Sequence, residues 1–168
     1  MSKRIMASKK GITVTIIILI AVTASSFIFW VIPQESSSTM VISDYRNYLD
    51  GVKKIHEILQ NSIDIEFKNL LEGNTTPEEY ITIAEITSSQ VTAQISELVT
   101  SKPSKEWQES YITYMEALKK FNSYIVETKV AANMIKDGES VTEIMQKIEA
   151  IRLELQELIN KSYQLRPN

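Results

Sequence analysis

The stretch Trp107–Ile135, WQESYITYMEALKKFNSYIVETKVAANMI, decides the fold class. Its apolar and small residues fall at Trp107, Tyr111, Tyr114, Leu118, Phe121, Ile125, Thr128, Ala132 and Ile135, in strictly alternating steps of four and three. That spacing places all nine on one face of an α-helix, and a strand would require a period of two. Three weaker stripes repeat the pattern. One is Tyr45, Leu49, Val52, Ile55, Leu59, Ile63, Phe67 and Leu70; another is Val141, Ile144, Ile148, Ile151, Leu155 and Leu158. The third, Tyr80, Ala84, Thr87, Val91, Ile95 and Leu98, is diluted by serine and threonine.

Stop and start signals separate these stripes. Gly73-Asn74 and Gly138 stand where a left-handed residue closes a helix. Thr76-Pro77-Glu78-Glu79 reads as a capping box with proline at the first helical position, and Ser140-Val141-Thr142-Glu143 as a second box. Lys102-Pro103-Ser104 divides the second stripe from the third. Helices are therefore expected near 40–72, 77–101, 104–137 and 141–165. Short connections make consecutive helices antiparallel neighbours, so the expected architecture of residues 40–165 is all-α, an up-down-up-down four-helix bundle with coiled-coil-like seams. Gly51, inside the first helix, is the expected bend, since glycine costs about 1 kcal/mol relative to alanine there.

The octets Tyr48–Ile55 (YLDGVKKI) and Tyr114–Phe121 (YMEALKKF) share an order of tyrosine, apolar, acid, small, apolar, Lys, Lys, apolar. Each leads to a glycine stop, a Thr/Ser-x-x-Glu box and a helix closing on Glu-Leu, at Glu97-Leu98 and Glu157-Leu158. Duplication of a helical hairpin and coincidence between heptad sequences both account for this echo, whose offset drifts from 66 to 60 residues.

Upstream the chemistry changes. Gly11–Ile32, GITVTIIILIAVTASSFIFWVI, is 22 residues without a charge, which as a helix reaches about 33 Å and matches the hydrocarbon core of a bilayer. Residues 1–34 carry four cations (Lys3, Arg4, Lys9, Lys10) and no carboxylate, whereas 35–168 carry fourteen cations against twenty-one carboxylates. The overall formal charge of −3 is thus +4 on the N-terminal part and −7 on the rest. The expected layout is a cytoplasmic basic stub at 1–10, a transmembrane signal-anchor at 11–32 with Trp30 as an interfacial aromatic, a polar tether at 33–39, and the bundle outside the cell. The alternative is a secreted product, because Val22-Thr23-Ala24 has the small-residue spacing of a signal-peptidase site with cleavage after Ala24. Such cleavage would leave Phe27–Ile32 exposed on a soluble chain, which favours the anchor.

The 168-residue chain contains no cysteine and one histidine. Disulfides, thiolate metal sites, a Cys nucleophile and thioether-linked haem are excluded. With His56 alone, neither a Ser-His-Asp triad nor a His-ligated catalytic zinc has its parts, and a di-metal bundle lacks its two Glu-x-x-His motifs because position 53 is lysine. His56 with Met115, Met134 or Met145 is the only formal ligand set for a haem, but its place beside Ile55 reads as a boundary or surface residue. No Gly-rich phosphate loop or Gly-x-Ser-x-Gly elbow occurs, and an acidic exterior part with isolated Lys53-Lys54 and Lys119-Lys120 pairs has no nucleic-acid footprint. No cofactor and no catalysis are expected.

Two features remain as candidate sites. Trp107, Tyr111, Tyr114 and Phe121, with Tyr124 beside them, form either plain core or the lining of a ligand or partner face. Asn74-Thr75-Thr76 is a glycosylation sequon in an expected loop, and Asn160-Lys161-Ser162 a second on an expected helix. The basic start, Ile-rich span, Trp-Val-Ile-Pro exit and Ser/Thr tether resemble small N-terminally anchored archaeal membrane proteins of unassigned function. The bundle's layout resembles the extracytoplasmic four-helix sensor domains of chemoreceptors and histidine kinases. These resemblances imply an envelope address and no activity. The expected function is a protein-interaction or structural module, with a protein partner or homo-oligomer; the alternative is a ligand-binding sensor or accessory subunit using the aromatic face of the third helix.

Overall fold

The computed structural model describes residues Asp44–Pro167, all within the second of two units into which the chain divides. The stub, the apolar stretch, the tether and residues 40–43 of the first expected helix lie outside the described residues. Among the described residues no helix is long and apolar enough to cross a membrane. Every regular element described is helical: α1 (Tyr45–Leu71), α2 (Pro77–Thr100), α3 (Lys105–Lys136) and α4 (Thr142–Gln164).

Each boundary has a local cause. Asp44 caps α1 by accepting a hydrogen bond from the Asn47 amide at 3.0 Å. At the far end Gly73, at φ 72°, closes a Schellman motif: the Asn74 amide bonds the Asn69 carbonyl at 2.7 Å and the Gly73 amide that of Leu70. Gly138, at φ 74°, repeats the motif for α3, with the Glu139 amide on the Met134 carbonyl at 2.8 Å. The Thr76 capping box forms in full, with Pro77 at the first position. The Ser140 box does not. Val141 stands at the N-cap of α4 without a side-chain cap, and Ser140 Oγ lies 3.2 Å from Thr142 Oγ1 instead.

The four helices pack as a helical bundle around α3. Phe67 meets Tyr80, and Gln94 reaches the Val52 carbonyl, so α1 and α2 run in opposite senses. Tyr80 donates to Thr128 at 2.6 Å and Ser88 to Asn122 at 2.5 Å, so α2 and α3 do likewise. Between α3 and α4, Ser110 and Ser162 donate to each other's carbonyls, both at 2.8 Å, while Lys147 pairs with Glu127. Arg152 with Asp64 and Arg166 with Asp50 tie α4 back to α1.

The buried rows explain these partners. α3 buries the stripe from Tyr111 to Ala132, and also a second row, Ser110, Ala117, Tyr124 and Ala131, seven residues apart. Three of those four are small, which lets α4 approach closely. α4 buries only Ile148, Leu155 and Ser162, again at heptad spacing, and Ile144, Ile151 and Leu158 are half-buried.

Two expectations are corrected. His56, read as a boundary or surface residue, is 1% exposed, and Ile55 is only half-buried. The buried face of α1 alternates in steps of three and four through Leu49, Val52, His56, Leu59 and Ile63, and so lands on His56 and not on its apolar neighbour Ile55. In α2 the same alternation, Ala84, Thr87, Val91, Gln94 and Leu98, puts Gln94 in the buried place expected for Ile95. α1 runs unbroken through Gly51, which is exposed with open space where a Cβ would stand. The echoing octets also differ in setting, since Gly51 is exposed and Ala117 fully buried.

Candidate functional site

The aromatic stripe of α3 forms a ladder against α1. At its lower rung, Trp107 is half-buried and packs on Tyr45 (centroids 6.4 Å apart) and Tyr111 (6.2 Å), with the Arg46 guanidinium 5.7 Å from the indole centre. Tyr111 is buried, stacks on Tyr48 and donates to the Tyr45 carbonyl at 2.8 Å. One turn on, the Tyr114 hydroxyl and His56 Nδ1 share a hydrogen bond of 2.9 Å, and Phe121 lies 4.7 Å from the imidazole centre. At the top, Tyr124 donates to Asp64 at 2.6 Å.

The hydroxyls of Tyr111 and Tyr124 are engaged donors, and that of Tyr114 is paired with His56. Burial pushes the phenols of Tyr111, Tyr114 and Tyr124 well above the ordinary tyrosine range, and neighbouring charges or phenols push further the same way. The fully buried Tyr80 behaves alike. Tyr48 is pushed up to about 12 by burial and then by Glu97. None is poised as a proton-transfer group near neutrality. Burial, followed by the nearby Lys53 ammonium, holds His56 down to about 4. Its ring is therefore neutral across the physiological range, and Nε2 has no hydrogen-bond partner among the described residues.

The expected face residues thus divide. Tyr111, Tyr114 and Phe121 are interior, and only Trp107 of the four reaches solvent. A cleft of about 370 Å³ lies between α1 and α4, flanked by Phe67, Lys68, Met145, Ile148 and Glu149. Tyr124, Asp64 and Arg152 floor it as a connected set: Arg152 Nη2 lies 2.7 Å from Asp64 Oδ2 and its guanidinium 5.6 Å from the Tyr124 ring centre. Sequence reasoning missed this trio because its members come from three helices. The one available signal was an arginine interrupting the apolar run Ile151-Arg152-Leu153.

Asn74 is exposed in the α1–α2 turn, with Nδ2 donating to Glu72 at 3.2 Å. Asn160 is exposed on α4, while Ser162 of the same sequon is buried against Ser110. No group of three or more metal-ligating side chains occurs among the described residues. No family model, curated protein or solved structure matches the chain.

Proposed function

We propose that this chain is a single-pass membrane protein that holds its helical bundle outside the cell as an interaction or structural module. The observation that carries the reading is the uncharged stretch Gly11–Ile32, with all four flanking cations on its N-terminal side. Residues 1–10 are then cytoplasmic, and 33–39 tether an up-down-up-down bundle to the outer surface. The chemistry of the bundle supports binding over catalysis. Its histidine is buried and neutral at physiological pH, the hydroxyls of Tyr80, Tyr111 and Tyr124 are engaged donors, and its Asp64–Arg152 pair is satisfied by ion pairing. The partner in this reading is a membrane protein or a second copy, meeting the half-buried apolar flank of α4 (Ile144, Ile151, Leu158).

Crosslinking in intact membranes followed by affinity purification tests the proposal. A discrete adduct larger than the monomer is expected, and its yield should fall when Ile151 is replaced by lysine. Recovery of the monomer alone, at every crosslinker length, would overturn the interaction role.

A further inference from the structure

The two ends of the bundle differ in chemistry. The N-terminus of α1, the α2–α3 turn and the C-terminus of α4 meet at one end: Tyr45 packs on Trp107, and Arg46 donates to the Pro167 carbonyl at 2.9 Å. Over residues 44–48, 98–108 and 160–167, this end carries Arg46, Lys102, Lys105, Lys161 and Arg166 against Asp44 and Glu106. It also carries Tyr45, Tyr48, Trp107 and Tyr163. The opposite end, over the equally long 68–79 and 133–144, has six carboxylates against Lys68 and Lys136, and no aromatic residue.

Much of the basic end faces solvent. Arg46, Lys102, Lys105 and Lys161 are exposed, Arg166 being engaged by Asp50 at 2.6 Å. Tyr163 is 62% exposed and Val99 60% exposed, and Trp107 is half-buried beside them. Glu97, which acts on Tyr48, and Glu109 border this end. Cations interleaved with tryptophan and tyrosine are the composition that favours a lipid headgroup layer.

We propose that this basic, aromatic end of the bundle rests on the anionic headgroup surface of the bilayer, rather than hanging free on the tether. The inference builds on the membrane-anchored reading and assigns that anchor a docking face. Two further observations point the same way. The chain outside the described residues enters at this end, at Asp44, and the eleven residues 33–43 span at most about 40 Å. α1 alone is about 40 Å long, so bringing the acidic end to the bilayer would use the whole tether. The ends are also screened from each other, because the screening length at physiological salt is about 8 Å, far shorter than α1. The net −7 of residues 35–168 therefore does not oppose contact at the basic end.

The two tryptophans make the test direct. Full-length W30F, with Trp107 as sole fluorophore, is reconstituted with phosphatidylcholine vesicles containing or lacking phosphatidylglycerol, each doped with lipid brominated high on the acyl chain. Trp107 quenching is expected on the anionic vesicles, with loss at about 1 M salt, where the screening length is about 3 Å. The exposed-residue variant K102Q/K105Q/K161Q, folded by circular dichroism, is expected to lose it as well. Trp107 unquenched on both vesicle types, or quenched equally with and without phosphatidylglycerol, overturns the proposal. Full-length W107F reports the anchor separately on the same vesicles: Trp30 quenched with Trp107 silent in W30F refutes the docking face alone, and Trp30 unquenched refutes the anchor itself.

Discussion

His56 makes the stability of the bundle depend on pH in a direction that can be worked out. Its imidazole is held at about 4 in the folded chain against an ordinary value of 6.5, because burial and then Lys53 oppose its charge. The unfolded chain therefore takes up a proton that the folded chain refuses between those values. This contribution is intact above about pH 6.5, falls as pH drops from 6.5 toward 4, and is flat below. At about 1.4 kcal/mol per pH unit the full loss is about 3 kcal/mol. The His56→Phe variant removes the titration and leaves the Tyr114 hydroxyl without its partner, a penalty of about 1–3 kcal/mol at pH 7. Urea unfolding of both full-length proteins in non-ionic detergent, followed by helical circular dichroism from pH 7.5 to 4, gives the comparison. The wild type is expected to be the more stable at pH 7 and to lose that advantage by pH 4, so that the two curves converge or cross. Parallel curves, with an unchanged difference at every pH, would refute the account of a buried neutral histidine.

Other substitutions probe the bundle at single points. Gly51→Ala, in open space on a continuous helix, should stabilise by about 0.5–1 kcal/mol in the same unfolding assay; a loss would show that the helix needs glycine at that point. Ala117→Leu at the close α3–α4 contact should destabilise by about 1–3 kcal/mol, whereas the same change at exposed Gln108 should be near neutral. Thr76→Ala removes the side-chain half of the capping box and should lower stability by about 1 kcal/mol.

Local chemistry made much of this bundle legible in the sequence. The glycine stops at 73 and 138 and the Thr76 box act within a few residues, so their types alone specify the geometry. The 4-3 stripe of α3 was equally explicit. What escaped was the register at two polar positions. Following the apolar residues keeps Ile55 and Ile95 on the inner face, whereas the regular alternation of three and four, continued through polar residues, buries His56 and Gln94. The Ser140 box failed because the same motif can be satisfied by neighbouring hydroxyls when the helix begins one residue later. The aromatic set of α3 was legible as either core or face, and only the packing of α1 against it divides Tyr114 and Phe121 from Trp107. The Asp64–Tyr124–Arg152 trio and the contrast between the two ends need the helices side by side before they exist at all.

The central proposal, an anchor retained at the N-terminus, meets its most direct test in one measurement: the N-terminal mass of the native chain recovered from carbonate-washed membranes. The account predicts a chain in the membrane pellet that begins at Met1, or at Ser2 after methionine removal. A mature chain beginning at Ser25 and released into the supernatant would contradict it.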